Sequence, residues 1–122
     1  RSPSPPPRGP MPPLSFDEFP RVDLRVGRIV RVEAFTKARP PAYKLWVDFG
    51  PELGQRKTSA RLTRHYRKEA LPGRLVVAVV NFPPKQIADF QSEVLVLGVP
   101  DADGEVVLLH PDQEVPLGGR LF

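Results

Sequence analysis

A long stretch of alternating residues, 23–35, constrains the fold of this chain more than any other feature. Its apolar positions share one face of an extended strand: Leu24, Val26, Val30, Val32 and Ala34. Arg28 interrupts that face one residue after Gly27, which lies on the opposite face, and a glycine inside a strand indicates a kink or bulge. A long strand that bends at Gly27 can curl through both halves of a small barrel. The stretch therefore predicts a strongly curved first strand.

The rest of the chain carries mainly strand signals. Residues 43–49 alternate with a period of two, which directs Leu45 and Val47 to the core and Lys44 and Trp46 to the other face. The remaining predicted elements are a capped helical turn at 15–19, strands at 56–62, 75–80, 94–99 and 105–109, a helix at 64–71, a rigid connector at 81–87, a hairpin turn at 101–104 and an irregular segment at 111–122.

This order of elements predicts an all-β fold with short helices. Three strands, a short helix and at least two more strands are the layout of the OB-fold, a five-stranded Greek-key barrel. The strands at 94–99 and 105–109 then add extra C-terminal strands to the barrel. An SH3-like or other small barrel is the alternative, and the long kinked first strand favours the OB-fold.

The N-terminal residues 1–13 differ in composition from the rest. They hold seven of the 17 prolines and almost no apolar side chain, which predicts a disordered tail. Met11 is the only methionine, and it favours a native start there, with residues 1–10 foreign to the native protein. The alternative is a proline-rich ligand for an SH3-like partner. Residues 14–122 are expected to form the single OB-fold domain.

The composition excludes several classes of function. The chain has no cysteine, so disulfides and thiolate metal sites are excluded. No apolar stretch reaches the ~20 residues of a membrane helix, and the N-terminus lacks the apolar core of a signal peptide. We therefore expect a cytoplasmic protein that does not insert into a membrane. The formal net charge of +4 is too small to indicate a nucleic-acid binder by itself.

No catalytic or metal-binding motif is readable. His65 and His110 have no partner at metal-ligand spacing, and Ser59 and Ser92 do not lie in a nucleophile elbow. There is no glycine-rich phosphate loop, and residues 101–104 lack the later ligands of a calcium loop. The sequence predicts no enzyme, no metal and no cofactor.

A binding surface is a better interpretation of the charged positions. Arg39, Lys44 and Lys57 lie on or beside strands two and three, the usual ligand face of an OB-fold, and would contact a carboxylate or a phosphate. Trp46 and Phe82 would supply apolar or stacking contacts to a peptide or a base. Packing of Trp46 beneath a helix or a partner subunit is the alternative.

The connector after strand four carries further apolar residues. Ile87 and Phe90, like Phe82, either line a groove for a client or close the end of the barrel or a subunit interface. Three polar residues are expected to hold the loops by hydrogen bonds: Asn81, Ser92 and Glu93.

From Phe16 to Phe122 the sequence resembles the tRNA-binding-domain family of OB-folds. The shared elements are Asp23-Leu24-Arg25-Val26-Gly27-Arg28-Ile29, Tyr43-Lys44-Leu45, Ser59, Tyr66, Gly73, Val79-Val80-Asn81 and Ser92-Glu93. Where tRNA-binding members carry Ser-Glu-Gly-Met, this chain has Ser92-Glu93-Val94-Leu95, the form found in a branch of export-associated chaperones.

The resemblance implies a function as well as a fold. Members of that branch are ATP-independent homodimers that bind unfolded preproteins, and components of the export machinery are further candidate partners. A tRNA- or RNA-binding module that uses the same face is the alternative. A third alternative is the adaptor role of a domain appended to a larger enzyme.

Overall fold

The computed structural model describes residues 9–122, and the first part of the predicted tail, residues 1–8, lies outside them. The described residues form nine strands and two single-turn 3₁₀ helices, Phe19–Arg21 and Lys68–Ala70. The strands are β1 (Leu24–Phe35), β2 (Ala42–Asp48), β3 (Gln55–Ala60), β4 (Leu75–Val79), β5 (Lys85–Ile87), β6 (Phe90–Ser92), β7 (Leu95–Val96), β8 (Gly98–Pro100) and β9 (Val106–Leu108). Residues 9–122 contain no helix that is long and apolar enough to cross a membrane.

Five strands form one antiparallel sheet in the order β3-β2-β1-β4-β7. The first half of β1 pairs with β4 and its second half with β2, so the sheet curls around this strand. Two short hairpins, β5–β6 and β8–β9, complete the fold. The predicted all-β OB-fold class, with short helices and extra C-terminal strands, is confirmed.

The bend in β1 lies at a different residue from the one predicted. The register against β2 shifts between Ile29 and Arg31, so Val30 is an extra, unpaired residue and is 42% exposed. The prediction of a kink at Gly27 is wrong, because Gly27 lies in regular pairing with β4. The extra residue resets the alternation, and Ile29 and Val32 therefore contact the same core.

Gly27 has a packing role instead. A Cβ atom at this position would lie 2.6 Å from Cγ1 of Val47 and 2.7 Å from Cε1 of Phe49. Both side chains are fully buried. The missing side chain therefore allows Val47 and Phe49 to pack directly against the backbone of β1.

Two apolar clusters lie on opposite faces of β2, as its period of two predicts. The main core takes Leu45 and Val47 from β2 and packs them with these buried residues: Ile29, Phe49, Leu62, Leu71, Val76, Ala78, Val80, Val94 and Leu108. The second cluster takes Ala42 and Trp46 from the other face of β2 and adds Phe35, Ala38, Ile87 and Phe90.

The predicted helix at 64–71 is wrong, since only Lys68–Ala70 forms a single 3₁₀ turn. The carbonyl oxygen of Tyr66 accepts a hydrogen bond of 2.7 Å from the Tyr43 hydroxyl. A short helix is costly to nucleate, and this bond uses a carbonyl that would otherwise extend it. The N-terminal turn also differs, because its 3₁₀ helix includes Pro20 rather than ending there, as proline is tolerated in a first turn.

The predicted strand at 94–99 is divided into β7 and β8. Leu97 lies between them and changes partner: its amide donates to Val77 of β4, and its carbonyl accepts from Leu109 after β9. The predicted rigid connector at 81–87 also requires correction, because its last residues, Lys85–Ile87, form β5 and pair with β6.

Replacing Gly27 by alanine is expected to lower the free energy of unfolding by about 1–3 kcal/mol, because the added methyl group overlaps Val47 and Phe49. Gly119→Ala is the matched control, since a Cβ there would meet only the carbonyl oxygen of Pro116, at 3.6 Å. Urea unfolding followed by circular dichroism measures both variants. Equal stability of the two would contradict the packing role of Gly27.

Candidate binding site

Phe90, the first residue of β6, is the centre of the second cluster. Its ring packs edge-on against Phe35 and Trp46, with centroid distances of 5.4 and 6.1 Å. The Nζ atoms of Lys44 and Lys57 lie 5.1 and 5.2 Å from the same centroid. Phe90 thereby attaches the β5–β6 hairpin to the outer face of β2 and β3, and each cation adds about 0.5–1 kcal/mol.

The strand register explains why these side chains meet. Lys44 and Trp46 are alternate residues on the outer face of β2, and Trp46 pairs with Lys57 of β3 and Arg31 of β1. The guanidinium carbon of Arg31 lies 4.5 Å from the centroid of the indole. The structure therefore brings Lys44, Trp46 and Lys57 together around Phe90, and Arg31 occupies one face of Trp46.

The tip of the β5–β6 hairpin is tied to the loop after β1. Lys37 Nζ lies 2.7 Å from Asp89 Oδ2. The side-chain hydrogen bond lowers the pKa of Asp89 and raises the pKa of Lys37 from their ordinary values. Both groups are solvent-exposed, so this pair orients the hairpin more than it stabilises the fold.

The end of the same hairpin closes the barrel against β3. The Lys57 amide donates a hydrogen bond of 2.9 Å to Oε1 of Glu93, and the Glu93 amide donates one of 2.8 Å to the Lys57 carbonyl oxygen. Ser92 Oγ lies 2.8 Å from Thr58 Oγ1 and accepts from the Ser59 amide at 3.3 Å. Side-chain oxygens thus satisfy amides on the open edge of β3.

Asn81 and Phe82 lie at the start of the connector, away from this cluster. The Asn81 amide group accepts from the Asp23 amide at 2.9 Å and donates to the Arg21 carbonyl at 2.8 Å. These bonds hold the connector to the chain that enters β1. Phe82 is 50% exposed and belongs to neither the Phe90 cluster nor the groove described next.

A groove of about 510 Å³ runs between the loop after β1, the end of β3, β5 and the strands that follow. Its apolar lining comes from several elements: Ala38, Pro40, Ala42, Ala60, Leu62, Ile87, Val94, Leu95, Val96, Val106 and Leu108. The charged residues that line it are all cations: Arg39, Arg61 and Lys85. The groove is therefore apolar inside and positive at its rim.

Polar contacts hold the β8–β9 side of the groove. The Tyr66 hydroxyl accepts a 3.0 Å hydrogen bond from the amide of Leu108. His65 Nε2 lies 2.6 Å from Asp101 Oδ2, in the turn between β8 and β9. Backbone hydrogen bonding from Glu105 and then the bond with His65 lower the pKa of Asp101. The exposed His65 therefore has a carboxylate partner that its sequence spacing does not reveal.

The predicted contact residues include only one of the three rim cations and leave out Arg61 and Lys85. Both are cations near strand ends, which is a visible signal, but such positions are common in this chain. They become neighbours of one groove only because the ends of β3 and β5 approach each other after the barrel closes. Arg39, by contrast, was a predicted contact residue and does line the groove.

This fold and its sequence match a known family. The family model described as "Putative tRNA binding domain" matches residues 24–120. The chain belongs to this tRNA-binding-domain family of OB-folds. Methionine–tRNA ligase of Thermococcus kodakarensis is 40% identical over 108 residues, which cover 88% of this chain. The chain spans only 14% of the length of that ligase.

Within the family, the likeness to solved CsaA structures extends over nearly the whole chain. The crystal structure of chaperone CsaA from Bacillus anthracis has 50% identity and a TM-score of 0.84, and covers 91% of this chain and 100% of its own. The CsaA chaperone protein from Picrophilus torridus has 47% identity and a TM-score of 0.83, with coverages of 89% and 99%. These similar structures are chaperones rather than catalytic domains.

Phe90→Ala is expected to lower the free energy of unfolding by about 3 kcal/mol or more, because it leaves a cavity between Phe35 and Trp46. The change also alters the fluorescence of Trp46, the single tryptophan. The neighbouring Gln91 is exposed, so Gln91→Ala serves as the control and is expected to stay within about 0.5 kcal/mol of wild type. Chemical denaturation with fluorescence detection measures both. An unchanged stability of Phe90→Ala would show that the hairpin is held by other contacts.

Proposed function

We propose that this chain is an ATP-independent chaperone of the cytoplasm that binds unfolded preproteins for export and catalyses no reaction. Residues 14–122 are the proposed functional domain, and the acting species is a homodimer. The observation that carries this proposal is the apolar groove with its cationic rim. The similarity to two solved CsaA chaperones supports it.

The groove suits short apolar segments of an unfolded chain. Its lining includes Leu62, Val94 and Leu108, which are buried in the core yet border the open space. A client side chain of valine or leucine size that leaves water here gains about 1.5–3 kcal/mol. A folded protein keeps such side chains in its own core, so the groove discriminates in favour of unfolded clients.

The rim supplies an electrostatic contact. Among the described residues, Arg39, Arg61 and Lys85 form no ion pair. Arg39 donates only to nearby carbonyl oxygens, at 2.6 Å from Thr36 and 3.2 Å from Ala38. These cations are available to a client carboxylate. Affinity alone holds the client in this scheme, and transfer to the export machinery releases it.

The proposed dimer would cover apolar surface around the C-terminal strands. Val99, Val107, Leu109 and Phe122 are exposed. Leu109 and Phe122 also border a second apolar cavity, of about 660 Å³. Contiguous apolar surface of this kind marks an interaction site, and a twofold partner covers the same patch on both subunits. A stable dimer is expected to bury about 1,200–2,000 Å² in total.

Binding of tRNA is the second candidate function. The family description and the ligase relatives favour it, and the three rim cations would also contact phosphates. Trp46 is a less open stacking platform than the sequence indicates, because Arg31 lies over its ring. Phosphate contacts therefore have to supply most of the affinity in this case.

A titration against two labelled ligands separates these candidates. We expect an unfolded preprotein segment to bind with an affinity that changes little between about 50 and 200 mM salt, because apolar burial dominates. Bulk tRNA is expected to bind weakly and to lose affinity steeply over the same range, since counterions are released. Fluorescence anisotropy measures both. Tight, salt-sensitive tRNA binding without preprotein binding would contradict the chaperone function and support the RNA-binding function instead.

Two double variants with equal charge change localise the site. Arg61→Glu with Lys85→Glu reverses the charge of two of the three rim cations, whereas Arg64→Glu with Arg67→Glu reverses exposed cations that do not line the groove. The first is expected to weaken binding of the preprotein segment about tenfold, and the second less than about twofold. Equal losses would mean that net charge, rather than the groove, controls binding.

Light scattering tests the dimer. We expect a mass of twice the 13.6 kDa chain that does not depend on concentration. Val107→Asp places a charge in the proposed interface and is expected to yield a monomer. Val30→Asp alters a valine of similar exposure on the bulge of β1 and is expected to remain dimeric. A monomeric wild-type mass would remove the homodimer from the proposal.

A further inference from the structure

One edge of β5 is open beside the groove. β5 pairs with β6 along one side. Within residues 9–122 no strand pairs with its other side. All three residues of β5, Lys85–Ile87, line the groove. An unpaired strand edge presents backbone donors and acceptors that a further extended chain can use.

The hairpin register shows which backbone groups are available. Ile87 and Phe90 flank a two-residue turn at Ala88 and Asp89, so these two residues exchange hydrogen bonds with each other. Gln86 is therefore at a non-hydrogen-bonded position opposite β6, and its N–H and C=O point to the open edge. Outside the strand ladders, no hydrogen bond among the described residues uses the main-chain N–H or C=O of Gln86.

The edge of β3, which also lies near the groove, is protected by side chains. On β3, the amides of Lys57 and Ser59 donate to side-chain oxygens of Glu93 and Ser92. Natural folds protect exposed edges in this way because an open edge recruits other strands. The unpaired edge of β5, whose residues line the groove, lacks such protection.

We propose that β5 is a template for strand addition, and that an extended segment of an unfolded client binds as a third strand beside Gln86. The proposal rests on the proposed chaperone function and specifies its mode of binding. Alternate side chains of the added segment enter the apolar groove, and an acidic residue of the client reaches Arg39 or Arg61. Every unfolded chain offers the same backbone groups, so this contact suits clients of unrelated sequence.

The hairpin is held ready for such a partner. Phe90 fixes it through its contacts with Phe35 and Trp46, and Lys37 pairs with Asp89 at its tip. A preordered edge loses little freedom when the client binds. The shortness of β5 limits the pairing to about one residue of the client backbone, which keeps the complex reversible.

A scan with N-methylated peptides tests strand addition on the wild-type protein. The probe is a capped seven-residue peptide of alternating valine and threonine with one aspartate. In a strand, successive N–H groups point to opposite sides. Two versions of the peptide are compared, one N-methylated at the odd-numbered residues and one at the even-numbered residues. One version is expected to bind about tenfold or more weakly than the unmethylated peptide, because its methyl groups replace the N–H groups that face β5. The other version is expected to lose less than about twofold.

A pair of variants tests the same contact from the protein side. Gln86→Pro removes the outward N–H without removing a bond to β6, and is expected to weaken peptide binding about tenfold. Gln86→Ala removes the side chain but keeps the backbone donor, so it is expected to weaken peptide binding much less than Gln86→Pro does. Urea unfolding checks that both variants keep their stability, and the methylation scan decides the question if the proline variant does not fold.

The outcomes are distinguishable. Failure of the wild type to bind both the peptide and reduced, carboxymethylated α-lactalbumin, an unfolded probe, overturns the chaperone function and strand addition together. If the two N-methylated peptides bind equally well and Gln86→Pro keeps the wild-type affinity, the chaperone function stands and strand addition is overturned.

Discussion

The bulge at Val30 is the constraint on which the barrel depends, because β1 must pair with two different strands. β1 pairs with β4 from Leu24 to Arg28 and with β2 from Arg28 to Phe35, and the bulge lies just after the point where the two pairings meet. The extra residue changes which face later side chains occupy, and so keeps a single core continuous across both halves. The curled sheet, and every site on it, follows from this local irregularity.

The same alternation creates a second apolar surface, which the β5–β6 hairpin covers. Phe35 and Trp46 point away from the main core, where they would otherwise face water. Phe90 packs between them, and lysines on either side contact its ring. This contact sets the position of β5, and β5 forms one side of the groove. Packing outside the barrel core therefore shapes the candidate binding site.

One strand edge of this fold is protected and contributes to stability, whereas another is open and serves the proposed function. Side chains of Ser92 and Glu93 satisfy the amides along β3, which closes the barrel without another long strand. The edge of β5 stays open next to an apolar groove with a positive rim. A chaperone without an energy source has to hold clients by affinity alone. A preformed groove and a fixed strand edge supply such affinity at low entropic cost.

The sequence by itself determined the fold class and the faces of β2, because successive residues of a strand point to opposite sides. It also determined the turn at Asp101, whose carboxylate accepts the amides of Asp103 and Glu105. Only the tertiary structure decided the role of Gly27, which depends on the side chains of Val47 in β2 and Phe49 just after it, far from Gly27 in sequence. The tertiary structure alone also determined the position of the groove, because strand ends that are distant along the chain become neighbours only when the barrel closes.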